Sequence, residues 1–123
     1  MQALCGIVRN EADMLQMVEK LAGYRARAAK VAVPGNREYN PGWHCAMDLH
    51  CLLTVSEAVA RSAVARRESR GGHFREDFPD KDKKLGKLTT VVRKNKDGTM
   101  ALEHVPVPQW PAELQAVIDE QQK

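Results

Sequence analysis

Aromatic side chains are scarce in this sequence. Phe, Trp and Tyr make up only 5% of its 123 residues. Its core must therefore be built mostly from aliphatic and sulfur side chains. No apolar run approaches the roughly 20 residues that a membrane-spanning helix needs. Met1 to Asn10 carries a single charge, Arg9, and no sustained apolar stretch, so it does not read as a signal peptide. Cysteine is sparse too: Cys5, Cys45 and Cys51 are an odd set without a Cys-x-x-Cys. That argues against a disulfide framework or a zinc knuckle, and for reduced thiols in a cytoplasmic protein. A phosphate-binding glycine loop is also missing. Gly71-Gly72 follows a helical pattern, whereas dinucleotide loops follow a strand and open a helix. Charge of one sign is not in excess either. The 19 Lys+Arg against 16 Asp+Glu leave +3, too little for a nucleic-acid-binding face, so nucleic acid is not an expected partner.

What is present is an ordinary globular composition, 43% hydrophobic and 28% charged, with room for one domain and one modest core. Asn10 followed by Asp13 reads as a helix start, with a capping amide and an acid near the dipole's positive end. Met14, Met17, Leu21, Tyr24, Ala28 and Val31 then recur at spacings 3, 4, 3, 4, 3, one stripe of a helix that Pro34-Gly35-Asn36 ends. Asn40-Pro41 is a second start, with proline at the first helical position. From Trp43 to Ala65 the apolar residues cover more than one face. The polar ones gather on His50, Thr54, Glu57 and Arg61, with Glu57 and Arg61 an i, i+4 pair. So narrow a polar stripe predicts a central helix touched on most sides, closed by Gly71-Gly72. Residues 74–87 read as irregular. Leu88 to Arg93 and Thr99 to Val105 flank Asp97-Gly98 and read as a β-hairpin. Pro106, Pro108 and Pro111 break it off, and Pro111 opens a short helix with Leu114, Val117 and Ile118 on one side. Met1 to Val8 reads as the stub of a further helix, uncapped at its start.

Two constellations invite a chemical reading. His44, Asp48 and Cys51 share one helical face at spacings suited to a metal, but no other His/Cys cluster completes a tetrahedral site. Cys45 beside His44 or His73 resembles a nucleophile pair, but nothing marks an orienting group or an oxyanion hole. The expectation for both is packing or surface residues.

The densest segment runs from Arg66 to Pro79. Arginines at a helix C-terminus complement its dipole, which accounts for Arg66 and Arg67. Arg70, His73, Arg75 and Asp77 continue through a non-helical stretch with Phe74 and Phe78 between them. Arginine–carboxylate forks interleaved with aromatics suit a segment held against another surface.

The same segment carries a resemblance. Arg67-Glu68-Ser69-Arg70-Gly71-x-His73-x-Arg75-x-Asp77-x-Pro79 resembles the signature of the C-terminal helical domain in the succinate dehydrogenase/fumarate reductase flavoprotein family. Gly6-Ile7-Val8-Arg9, Tyr39-Asn40-Pro41-Gly42-Trp43 and Met47-Asp48-Leu49 agree in order, as do Leu88 to Arg93 and Met100 to Val107. The resemblance spans nearly the whole chain. It implies a mainly α fold: a three-helix bundle with its first helix truncated, over residues 1–80, then a β-hairpin and a C-terminal tail or short helix over 81–123. It also implies that the chain is a fragment of a larger enzyme, cut within the first helix. The parent would interconvert succinate and fumarate through FAD and pass electrons to an iron–sulfur subunit. In that family the flavin and the dicarboxylate are held by other domains, so no catalytic, cofactor-binding or metal residue is assigned here. The isolated chain is expected to be inactive and prone to self-association. Arg67, Glu68, Ser69, Arg70, Gly71, His73, Arg75, Asp77 and Pro79 are expected to be an interdomain contact strip. Its partners would be the flavin-binding and capping domains of the parent, itself peripheral on the cytoplasmic face of the inner membrane. The alternatives are an L-aspartate oxidase domain of the same superfamily and a free-standing helical protein-binding module.

Overall fold

A computed structural model of the chain describes residues 1–121. In chain order it holds α1 (Gln2–Cys5), β1 (Val8–Arg9), α2 (Glu11–Ala28), α3 (Pro41–Ala65), β2 (Phe74–Arg75), a 3-10 turn (Leu85–Lys87), β3 (Leu88–Lys94), β4 (Met100–Pro106) and α4 (Ala112–Gln121). The fold is mainly helical, followed by an antiparallel hairpin and a short C-terminal helix, as the sequence implied. Among the described residues no helix is long and apolar enough to cross a membrane.

Helix α2 begins where its cap places it. Asn10 is extended, and its side-chain oxygen accepts the Asp13 N–H at 2.9 Å. Glu11 and Asp13 stand in the first turn and Arg25 and Arg27 in the last, each charge opposite its end of the helix dipole. Met14, Met17, Leu21 and Ala28 are buried. The rest of the expected stripe is corrected. Val31 lies beyond the helix and Tyr24 is exposed. The chain tightens after Ala28, where Lys30 and Val31 donate to the carbonyls of Arg27 and Ala28. The Arg27 guanidinium lies 5.8 Å from the Tyr24 ring centroid.

Helix α3 starts on Asn40, whose side chain accepts the Gly42 N–H at 3.1 Å, with Pro41 at the first position. The Asn40 amide also donates to the Pro34 and Asn36 carbonyls, both at 2.9 Å, which folds the connecting loop onto the helix start. Leu53, Ala60 and Ala63 are buried with α2's methionines and leucine in one cluster, and Leu49 and Val64 pack on its edge. Two alanines on this face let the helices approach closely.

The expectation that α3 is touched on most sides is not met. Leu52 and Val55 are each 61% exposed, Met47 58% and Val59 39%. The helix also ends at Ala65, six residues before Gly71-Gly72, because Arg66 leaves helical backbone geometry. The segment read as irregular contains a strand. Phe74 and Arg75 pair in parallel with Val8 and Arg9, held by Phe74 N–H to the Ile7 carbonyl at 3.0 Å and Glu76 N–H to the Arg9 carbonyl at 2.9 Å. The hairpin runs in register from Leu88 opposite Pro106 to Lys94 opposite Met100. Gly98 closes its turn at φ +86, a conformation that favours glycine. Leu114 and Val117 of α4 are exposed, and Ile118 is half-buried.

Candidate interdomain contact strip

The segment after α3 folds into a polar knot at the junction of α2, α3 and β1. Arg75, on β2, is fully buried. Its Nε donates to Asp77 Oδ1 at 2.6 Å, and Nη2 donates to Asp77 Oδ2 and to Glu11 Oε2 at 3.3 Å. Nη1 donates to the Ala63 and Val64 carbonyls at 3.3 and 3.4 Å. Those two carbonyls belong to the last turn of α3, where backbone acceptors lack helical partners. Asp77 Oδ2 in turn accepts the Glu11 N–H at 3.2 Å, at the first turn of α2. The ion pair therefore lies between two helix ends. Its cation faces the negative end of α3, and its anion faces the positive end of α2. The Arg75 hydrogen bond holds the Asp77 carboxyl below its ordinary range. Phe78 covers the pair, its ring centroid 5.0 Å from the Arg75 guanidinium.

Glu68 is the second buried charge. Arg70 forks onto it, Nε to Oε1 and Nη2 to Oε2, both at 3.0 Å. Arg66 Nη1 also donates to Oε1, and the Asp82 N–H donates to Oε2 at 2.8 Å. The Arg70 hydrogen bond lowers the Glu68 pKa, against the opposing effect of burial. Gly86 presses on this fork: a Cβ there would lie 2.6 Å from Arg70 Nη2.

Ser69 and His73 complete the knot. Ser69 Oγ accepts the Arg75 N–H and donates to the Phe78 carbonyl, both at 2.8 Å. Arg70 and His73 exchange backbone hydrogen bonds around Gly71-Gly72, with Gly71 at φ +59. His73 Nδ1 meets Arg9 Nη1 at 2.6 Å, and Nε2 meets the Arg66 carbonyl at 3.1 Å. A guanidinium can only donate and a carbonyl can only accept. The ring is thus neutral, with its proton on Nε2. Burial is the main cause that pushes its pKa down, and the charges of Arg9, Arg75 and Arg66 add to it. Among the described residues no buried side-chain nitrogen or oxygen lacks a partner.

The nine residues of the expected strip are thus brought together, but they do not face one way. Glu68, Ser69 and Arg75 turn inward and are spent within this chain. Arg67, Arg70, Gly71, Asp77 and Pro79 remain exposed at the surface, or nearly so. The helix-end role expected of Arg66 and Arg67 falls to Arg75 instead. Arg67 reaches Glu11 at 3.4 Å and lies over Phe78. Glu11, Arg9 and Asp82 were missed by the sequence reading. Glu11 and Asp82 carried no signal beyond being acidic, whereas Arg9 stands in the Gly6-Ile7-Val8-Arg9 segment. His44, Asp48 and Cys51 form no metal-holding group among the described residues, and Cys45 is exposed at the far end of α3 from His73.

The comparisons with known proteins agree with this architecture. The family described as fumarate reductase flavoprotein C-terminus matches residues 1–118. The fumarate reductase flavoprotein subunit of Haemophilus influenzae is 32% identical over 108 residues, covering 87% of this chain and 18% of that protein. The L-aspartate oxidase of Streptomyces coelicolor is 29% identical over 109 residues, covering 86% of this chain and 18% of that protein. Mycobacterium smegmatis Sdh1, solved in complex with UQ1, superposes with a TM-score of 0.81 at 38% identity, covering 100% of this chain and 22% of that one. The chain spans about a fifth of the length of these relatives. It belongs to the fumarate reductase flavoprotein C-terminal family.

Proposed function

We propose that this chain is the non-catalytic C-terminal domain of a flavoprotein that interconverts succinate and fumarate, and that it braces the flavin-binding and capping domains. The observation that carries this reading is the outer face of α3. Leu52, Val55, Val59 and Met47 lie exposed on a helix whose inner face is already packed. An apolar stripe of that kind marks a surface that another protein layer covers. The exposed members of the strip, Arg67, Arg70, Gly71, Asp77 and Pro79, add a polar margin at one end of it.

Among the described residues, neither long helix offers an open N-terminus to a flavin's pyrophosphate. The N-termini of α2 and α3, which could receive a pyrophosphate, are taken by Asn10 with Asp77 and by Asn40. FAD and its redox chemistry therefore belong, in this reading, to the rest of the parent. So does the transfer of electrons to an iron–sulfur subunit, and with it a peripheral position on the cytoplasmic face of the inner membrane.

The test is a chimera in which this chain replaces the matching segment of the Haemophilus influenzae subunit. It should retain flavin and succinate–fumarate activity. Leu52→Asp with Val55→Asp in the same chimera should release flavin and abolish activity. Full flavin occupancy in that double variant would overturn the docking role. L-aspartate oxidase remains the second reading because of the Streptomyces relative. The Tyr39-Asn40-Pro41-Gly42-Trp43 segment favours the succinate–fumarate enzyme. If a parallel chimera with the oxidase held flavin and the first chimera did not, the order would reverse.

A further inference from the structure

His50, Thr54, Glu57 and Arg61 form the one narrow polar stripe of α3, and the docking role leaves it unused. His50, Thr54 and Arg61 of this stripe are exposed and Glu57 is half-buried, and the last three line a cleft with residues of α2 and the hairpin. Arg25 of α2 stands on one side, and the end of the hairpin stands on the other, with Arg93 and Lys94 on β3 and Thr99 in the turn. A cleft of about 530 Å³ is lined by these residues together with Thr54, Glu57 and Arg61.

The charges in this cleft are unbalanced. Glu57 is 15% exposed and is shared between two arginines. Arg25 Nη2 meets its Oε2 and Arg61 Nε meets its Oε1, both at 2.7 Å. One carboxylate thus orients two guanidiniums and neutralises the charge of one. Neither guanidinium has another side-chain partner among the described residues, so their remaining N–H groups are free to donate. Lys94 of the hairpin brings a third cation. Glu103 holds Arg93 Nε from the neighbouring strand, at 2.5 Å, and does not line the cleft. Asp97, the acid of the turn, is committed to Thr99. Three cations, Arg25, Arg61 and Lys94, therefore line the cleft against one carboxylate, while the charge of Arg93 is met by Glu103.

We infer that this cleft binds a compact anion with two or more oxyanion groups, a polycarboxylate or a phosphate compound, through the free forks of Arg25 and Arg61. Guanidiniums match both chemistries in bidentate geometry. Because Glu57 already fixes both side chains, little rotamer freedom is left to lose on binding. A bound anion would also link the hairpin to the helices. The inference does not rest on the activity of any parent enzyme.

The test is an NMR titration of the isotope-labelled chain with citrate and, separately, with pyrophosphate, at constant ionic strength. Saturable one-site shifts should centre on Thr54, Glu57, Arg61 and residues 93–100. Arg61→Gln and, independently, Lys94→Gln should weaken binding, the former by about tenfold. Arg37→Gln, whose guanidinium lies over Trp43 instead, should leave it unchanged. Citrate alone binding would identify a polycarboxylate site and pyrophosphate alone a phosphate site. Both binding would support the shared chemistry without selectivity. No saturable shift with either probe at tens of millimolar, or affinity unchanged in both variants, would overturn the inference.

Discussion

The polar knot and the outer face of α3 invert the usual arrangement of a small domain. Glu68 and Arg75 are fully buried, while Leu52 and Val55 are each 61% exposed. The difference lies in where each region finds its partners. Every buried side-chain nitrogen and oxygen of the knot is satisfied within the chain, across segments that are 64 residues apart in the case of Arg9–His73 and Glu11–Arg75. The apolar face finds none. A buried ion pair is weak evidence for stability against an apolar replacement, but removing one partner is costly. The knot thus specifies how β1, α2 and α3 come together, and the exposed face is the surface that the proposed docking role would cover.

Breaking the knot should produce the largest effect. Arg75→Ala strips Asp77 of its partner and leaves the Ala63 and Val64 carbonyls unpaired, at an expected cost of about 3–5 kcal/mol in denaturant unfolding. Arg75→Lys should recover little of it, because one ammonium cannot span Asp77, Glu11 and the two carbonyls. A loss below about 1 kcal/mol would show that the knot is not what holds the helix ends.

Acid should loosen the knot in two stages, read as the unfolding midpoint against pH. The folded-state pKa of His73 lies below its ordinary 6.5. Its contribution is complete above that value and is lost as pH falls through the folded one. Protonation at Nδ1 would set an N–H against the Arg9 guanidinium. Glu68 and Asp77 are also depressed, from 4.5 and 3.8, so their contributions begin to be lost only below those values. His73→Gln should remove the upper stage and keep the lower one.

Gly71→Ala is a smaller test. At φ +59 it meets nothing within 4 Å, so its cost is backbone strain alone, about 1 kcal/mol. Gly71→Asn should recover part of that, since asparagine tolerates this conformation. On the face, Leu52→Ser with Val55→Ser should change the stability of the isolated chain least, by no more than about 0.5 kcal/mol per site.

Legibility followed the range of each signal. The caps of α2 and α3, proline at the start of α3 and the hairpin with its Asp97-Gly98 turn are local, and all could be read from neighbouring residues. The end of α3 could not, because its last carbonyls are taken by Arg75, ten residues downstream. The β1–β2 pair is only two residues long, so it leaves no alternation to detect. The strip itself was visible as a motif, but its direction was not. A run of arginines and acids reads the same whether its partners lie in this chain or in another. The polar stripe of α3 was also visible. Its meeting with Arg25 and the hairpin depends on tertiary contacts.

The central claim is that the knot is complete within the chain and the outer face is not. Sedimentation velocity over a range of concentrations, on the wild type and on Leu52→Ser with Val55→Ser, tests it most directly. The account predicts a wild type that associates as concentration rises and a double variant that stays monomeric with the same unfolding midpoint. A wild type that is monomeric throughout, or a double variant that unfolds far more easily, would contradict it.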